Sequence, residues 1–87
     1  MFYFYVLKSE KDGFIYFGYT NNLKRRLIEH NSGETRSTKG YQPLSLAYYE
    51  AYLSEEEAKH REYSIKLNGR AKAQLMNRIK KSVSPKL

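Results

Sequence analysis

Two short aromatic segments, Tyr3-Phe4-Tyr5 and Tyr16-Phe17-Gly18, flank the turn-forming stretch Ser9-Glu10-Lys11-Asp12-Gly13. Aromatic residues suit a pleated, half-buried surface, so the pattern reads as a β-hairpin. With residue 5 opposite residue 16, Ser9 to Asp12 form a four-residue loop and both phenols stand side by side on one face. Strand propensity explains each tyrosine taken singly. As a pair, they bring two hydroxyls to one small patch.

The segment from Thr20 to Gly33 opens on polar N-cap candidates, Thr20, Asn21 and Asn22, and closes on Asn31 and Gly33, with Leu23 and Leu27 one turn apart. It reads as a short amphipathic helix. Arg26 and His30 stand four apart on one face and border the Leu23/Leu27 stripe, along the seam where helix meets sheet. Asn31 to Gly40 is rich in Ser, Thr, Gly and Lys. Arg36 and Lys39, among the small hydroxyls of this loop, suit a mobile contact to a phosphate backbone, while a plain flexible connection stays open beside that reading.

A third strand is expected from Leu44 to Leu53, after the Gly40-Tyr41-Gln42-Pro43 loop. Ser54-Glu55-Glu56-Glu57 is a capping box whose acids sit where the helix dipole favours them. Glu62 is different, because it falls on one face with Ala58 and Ile65 and puts a carboxylate into an apolar stripe. An i,i+4 pair with Lys66 is the plain explanation; a metal ligand is the other.

The formal charge is +7. From Lys59 onward nine basic residues face the single acid Glu62, a net +8, which leaves −1 for residues 1 to 58. Lys66, Arg70 and Lys72 belong to this block. The basic residues alternate with Ala71, Leu75, Met76 and Ile79, as a helix with a phosphate-binding surface requires, and a polyanion suits it better than a membrane. A solubilising tail is the alternative. At 87 residues the chain is expected to be one domain over 1–80, with a basic tail at 81–87 that frays at its end. No apolar run approaches the roughly 20 residues of a membrane span, and the start lacks a signal peptide's cationic region, so a cytoplasmic protein is expected. Without cysteine, thiolate catalysis and the usual structural zinc sites are excluded, and a metal must be held mostly by oxygen.

In this order, the two aromatic segments, the helix with Leu23, Arg26 and His30, and Glu62-Tyr63-Ser64-Ile65-Lys66 resemble a GIY-YIG nuclease domain. The resemblance is to the small stand-alone kind, related to the nuclease module of the excision-repair protein UvrC and to homing endonucleases, and it covers residues 2 to about 73. It implies an α+β fold, β-β-α-β-α, with a small three-stranded, mostly antiparallel sheet flanked by helices and a basic C-terminal helix, and with the site on one exposed sheet face. It also implies metal-dependent hydrolysis of nucleic acid, DNA before RNA, with Mg²⁺ or else Mn²⁺ on Glu62. Arg26 would neutralise the phosphoryl group, and Tyr5 or Tyr16 would take a proton from water or hold it in line. His30 would carry protons or touch phosphate. A free phenol ionises near pH 10, so a tyrosine base needs positive charge close by. Departures from the family pattern are Tyr3 for the first glycine, Phe4 and Phe17 for the isoleucines, Tyr19 where some members carry a basic residue, and no clear counterpart of a later asparagine. These keep open a non-catalytic DNA- or RNA-binding module, and beside it an interaction protein docking through Leu75, Met76 and Ile79.

Overall fold

The computed structural model describes residues 1–84. The elements run β1 (Phe2–Ser9), β2 (Ile15–Thr20), α1 (Leu23–Asn31), β3 (Leu44–Tyr52), α2 (Glu55–Leu67), α3 (Gly69–Arg78) and a single turn, α4 (Lys80–Val83). The strands form one antiparallel sheet in the order β2-β1-β3, the α+β arrangement expected. β1 is therefore central and covered on both sides, which is why Phe4, Tyr5, Val6 and Leu7 are all buried. Even-numbered Phe4 and Val6 pack with Phe17, Ile65, Leu75 and Ile79 under α2 and α3. Odd-numbered Tyr5 and Leu7 pack with Leu44 beneath Leu23 and Leu27 of α1. Fully burying each large apolar side chain contributes roughly 1.5–3 kcal/mol, so both layers are needed to hold so short a chain.

The hairpin register differs from the expected one by two residues. Tyr5 lies opposite Gly18, and Tyr16 opposite Leu7. The loop still has four residues but moves to Glu10–Gly13, closed by Ser9 N–H donating to Phe14 O at 2.8 Å. Gly13 supplies the cause: its φ of 79° puts the left-handed residue at the last loop position. A shift of two keeps every side chain on its face, so the phenols still share one side, now as diagonal neighbours with ring centres 6.3 Å apart.

Three side chains cap the helices. Asn22 accepts from Arg25 N–H at 3.0 Å to open α1, and Ser54 accepts from Glu57 N–H at 3.3 Å to open α2. Asn68 accepts from Arg70 and Ala71 N–H, ending α2 and starting α3 at one residue. At the other end of α1, Asn31 brackets Leu44, accepting its N–H at 2.7 Å and donating to its C=O at 2.9 Å, which fixes α1 over the sheet. One further correction concerns the C-terminal third. Leu75 and Ile79 are buried in the protein's own core with Met76 against them, so they offer no partner-docking face. Within the tail expected at 81–87, residues 81–83 lie in α4 and Val83 packs against the same layer, while residues 85–87, at the end expected to fray, lie outside the described residues.

Candidate active site

Four of the expected residues meet on the α1 side of the sheet. The Tyr5 hydroxyl lies 2.9 Å from His30 Nε2, and His30 Nδ1 lies 2.7 Å from Thr38 Oγ1. The Tyr16 ring sits 5.0 Å from the His30 ring, centre to centre. Arg26, one turn before His30, lies beside Tyr5 and donates to Glu29 at 2.9 Å. The i,i+4 spacing on α1 and the i,i+2 alternation of the sheet therefore converge on one patch.

Gly18 is what lets Tyr5 reach its place. A Cβ there would stand 2.5 Å from Tyr5 Oη and 2.6 Å from Cζ, because the Tyr5 ring lies flat across the glycine. Tyr5 is only 2 % exposed, so the ring has nowhere to retreat without leaving His30. Gly18→Ala should cost about 1–3 kcal/mol by overpacking and break the Tyr5–His30 bond. Thermal melting and the Tyr5 hydroxyl resonance check this; an unshifted melt with the bond intact would refute it.

Burial dominates the electrostatics. It pushes the Tyr5 hydroxyl up to about 12, with Arg26 pulling the other way and Tyr16 adding to the rise. It pushes His30 down to about 4, helped by the Arg26 charge. Arg26 is driven further up, because its bonds to Glu29 and Tyr5 outweigh the burial that opposes its charge. At neutral pH the patch thus holds a neutral phenol, a neutral imidazole and a permanent cation. His30 is fully buried, so direct contact with phosphate, one of its expected roles, is closed to it. Tyr16 is the half-buried phenol and the one solvent can reach.

Glu62 arrives from the other layer. Its carboxylate takes a 2.9 Å ion pair from Lys66, and the Lys66 ammonium stands 5.5 Å from the centre of the Tyr16 ring. Tyr16 faces α1 while α2 packs on the opposite face, so this contact passes around the sheet edge formed by β2. The candidate residues therefore straddle an edge strand instead of lying on one exposed sheet face, because α1 already covers the face that carries Tyr5. No three His, Asp or Glu side chains cluster among the described residues. Glu62 alone, with its side chain 21 % exposed, fits a hard cation that keeps most of its own water, and Lys66 holds a positive charge on that carboxylate meanwhile. Beside Arg26 opens a polar cleft of about 330 Å³ lined by Tyr19, Thr20, Asn21, Arg25, Glu29 and Glu55.

The sequence model of the GIY-YIG catalytic domain matches residues 1–77. The chain belongs to the GIY-YIG family. Among curated relatives, a UPF0213 protein of Bacillus pumilus is 45 % identical over 74 residues, which are 84 % of this chain and 74 % of that protein. A UPF0213 protein of Halobacterium salinarum is 39 % identical over 77 residues, 87 % of this chain and 99 % of that one. The solution NMR structure of a UPF0213 protein from Bacillus halodurans is similar at a TM-score of 0.54 and 41 % identity, over 88 % of this chain and 84 % of that one.

On this GIY-YIG scaffold the remaining basic candidates divide. Arg36 and Lys39 are exposed in the loop that carries Thr38. Lys66 is paired with Glu62. Arg70 and Lys72 lie on α3, and Lys72 stands 5.6 Å from the Phe17 ring, on the sheet face opposite Tyr5 and Tyr16. Three residues of the site were not expected: Glu29, which holds Arg26; Gly18 as the floor beneath Tyr5; and Thr38. Nothing in a Ser/Thr-rich stretch marks one threonine as fully buried.

Proposed function

We propose that this GIY-YIG domain is an endonuclease that hydrolyses phosphodiester bonds of nucleic acid, DNA before RNA, in the cytoplasm, with one divalent cation, Mg²⁺ or Mn²⁺, at Glu62. The observation that carries the reading is the meeting of Arg26, Tyr5 and His30 with Tyr16 at the edge strand, where Glu62 and Lys66 approach from the opposite layer. Arg26 offers a planar fork to two phosphoryl oxygens, and its cleft is polar and open. Tyr16 orients the attacking water or accepts its proton. Tyr5, neutral and enclosed, holds His30 and Arg26 in register instead of serving as the base. When bound, the cation supplies charge stabilisation at the leaving oxygen.

Tyr16→Phe should lower the single-turnover rate by roughly 10²-fold while leaving the fold intact, and Tyr5→Phe should do the same by leaving His30 Nε2 unpartnered. Tyr48→Phe is the control: its hydroxyl donates to Glu50 at 2.7 Å, far from the patch, so it costs about 1 kcal/mol of stability and no activity. Wild-type rates in both site variants would reduce the two tyrosines to packing residues.

A binding module without cleavage is the second reading, favoured by Tyr19 at a position where some members carry a basic residue and by the Glu62–Lys66 pair. Cleavage in Mg²⁺ but not in EDTA decides against it. Either reading predicts nucleic-acid binding that weakens steeply with salt, as counterions are released from phosphates, and a flat profile would count against both. Removing residues 74–84 is not a clean test of the basic block, since it strips Leu75 and Ile79 from the core. Arg70→Glu with Lys72→Glu is the better variant.

A further inference from the structure

Thr38 is fully buried in a loop whose neighbouring Arg36, Ser37, Lys39 and Gly40 are exposed. Its Oγ1 lies 2.7 Å from His30 Nδ1 and 3.4 Å from the Thr35 carbonyl, to which its own backbone N–H also donates at 3.2 Å. We infer that Thr38 is a positioning residue: it fixes His30 as the Nδ1–H tautomer and so turns the free side of the Tyr5 oxygen into an acceptor facing Arg26.

The assignment follows from counting hydrogens. Tyr5, His30 and Thr38 each bring one side-chain hydrogen to the chain of contacts. In one arrangement Tyr5 donates to His30 Nε2, His30 Nδ1–H donates to Thr38 Oγ1, and Thr38 donates to the Thr35 carbonyl. Every hydrogen has an acceptor. In the reverse arrangement Thr38 donates to Nδ1 and Nε2–H donates to Tyr5, which leaves the Tyr5 hydrogen to find a partner of its own. On that side stands Arg26, whose guanidinium is donor-only, and among the described residues no hydrogen-bond acceptor other than His30 meets the Tyr5 hydroxyl. A buried hydroxyl without an acceptor, aimed at a cation, is the costlier state. Thr38 never touches Arg26, yet by accepting from Nδ1–H and passing its own hydrogen to the Thr35 carbonyl it lets the Tyr5 oxygen keep a lone pair toward Arg26.

The catalytic consequence rests on the nuclease reading; the tautomer does not. The test is a long-range ¹H–¹⁵N correlation of the imidazoles in the whole ¹⁵N-labelled chain at about pH 8, where neutral rings predominate. The chain has two histidines, and exposed His60 serves as the internal reference. Wild type and Thr38→Ser should both show a hydrogen-bonded Nδ1–H at His30, while Thr38→Val, which leaves that hydrogen without its acceptor, should lose the downfield-shifted, slowly exchanging Nδ1–H resonance. Cleavage should fall roughly tenfold or more in Thr38→Val and return to near wild type in Thr38→Ser, as for other residues that orient a functional group from behind. An Nε2–H signal in wild type overturns the inference, and so does a folded Val variant whose Nδ1–H resonance matches that of wild type. If Val unfolds the chain, the wild-type tautomer decides. If wild type does not cleave nucleic acid at all, the nuclease reading falls and the wild-type tautomer still upholds or overturns the role of Thr38.

Discussion

On the nuclease reading proposed above, replacing Glu62 by Gln is expected to abolish metal-dependent cleavage, lowering the single-turnover rate by at least about 10³-fold, because several kcal/mol of charge stabilisation at the leaving oxygen would depend on an ion that Glu62 holds. The fold will survive. Glu62 is partly exposed at the rim of α2, and its one ion pair, with Lys66, joins partly exposed groups, where such pairs are worth about 0–1 kcal/mol. If the chain binds nucleic acid, binding should hold or tighten, since the neutral amide leaves the Lys66 ammonium without its counter-charge. Glu55→Gln is the matched control: a first-turn acid of α2, it should cost at most about 1 kcal/mol of stability and no activity. Cleavage at the wild-type rate by the Glu62 variant, in Mg²⁺ and Mn²⁺ alike, would remove Glu62 from the site.

Arg26→Ala is the second large effect, an expected loss of about 3 kcal/mol of transition-state stabilisation, or more than 10²-fold in kcat/KM. Arg26 stays charged at any working pH, held by Glu29 at 2.9 Å and by Tyr5, so its contribution should not vary with pH. Losing it frees Glu29, which keeps Arg25 at 3.5 Å as a partner, so the helix should tolerate the change. Arg26→Lys separates charge from shape: a point charge cannot form the two-pronged contact, and an intermediate rate is expected. If Ala matches wild type in single-turnover assays while melting at the same temperature, the guanidinium does not meet the reacting phosphate.

Much of the scaffold was legible because local signals and packing agree in this chain. Asn22 and Ser54 mark helix starts, and a carboxylate at 62 is conspicuous in a stripe of Ala58 and Ile65, whereas the break at Asn68 between α2 and α3 went unread. The shared face of Tyr5 and Tyr16 could be read for a reason that outlived the error in register: a slip of two residues returns each side chain to the same side. The slip itself was hidden, since it turns on Gly13 adopting positive φ at the end of the loop. Thr38 was illegible for a different reason. Its burial comes from contact with His30 across the loop, and short polar sequences carry no trace of which hydroxyl is drawn inward. The meeting of α1 and α2 around β2 is likewise a property of layer packing, absent from any window of sequence.

That straddling arrangement makes the site a gauge of how tightly the two layers close. Arg26, His30 and Tyr5 ride on one side of the sheet, and Glu62 rides on α2, which is clipped to β3 by the two-pronged Arg61–Glu50 pair at 3.0 and 3.1 Å, with the Glu50 carboxylate held in place by the Tyr48 and Tyr52 hydroxyls of its own strand. On the proposed reading, breathing of α2 away from β2 would separate Glu62 from Arg26 while leaving strands and helices intact. Catalysis on warming should therefore fade before ellipticity does, and the gap between the two curves should widen when Arg61 is replaced.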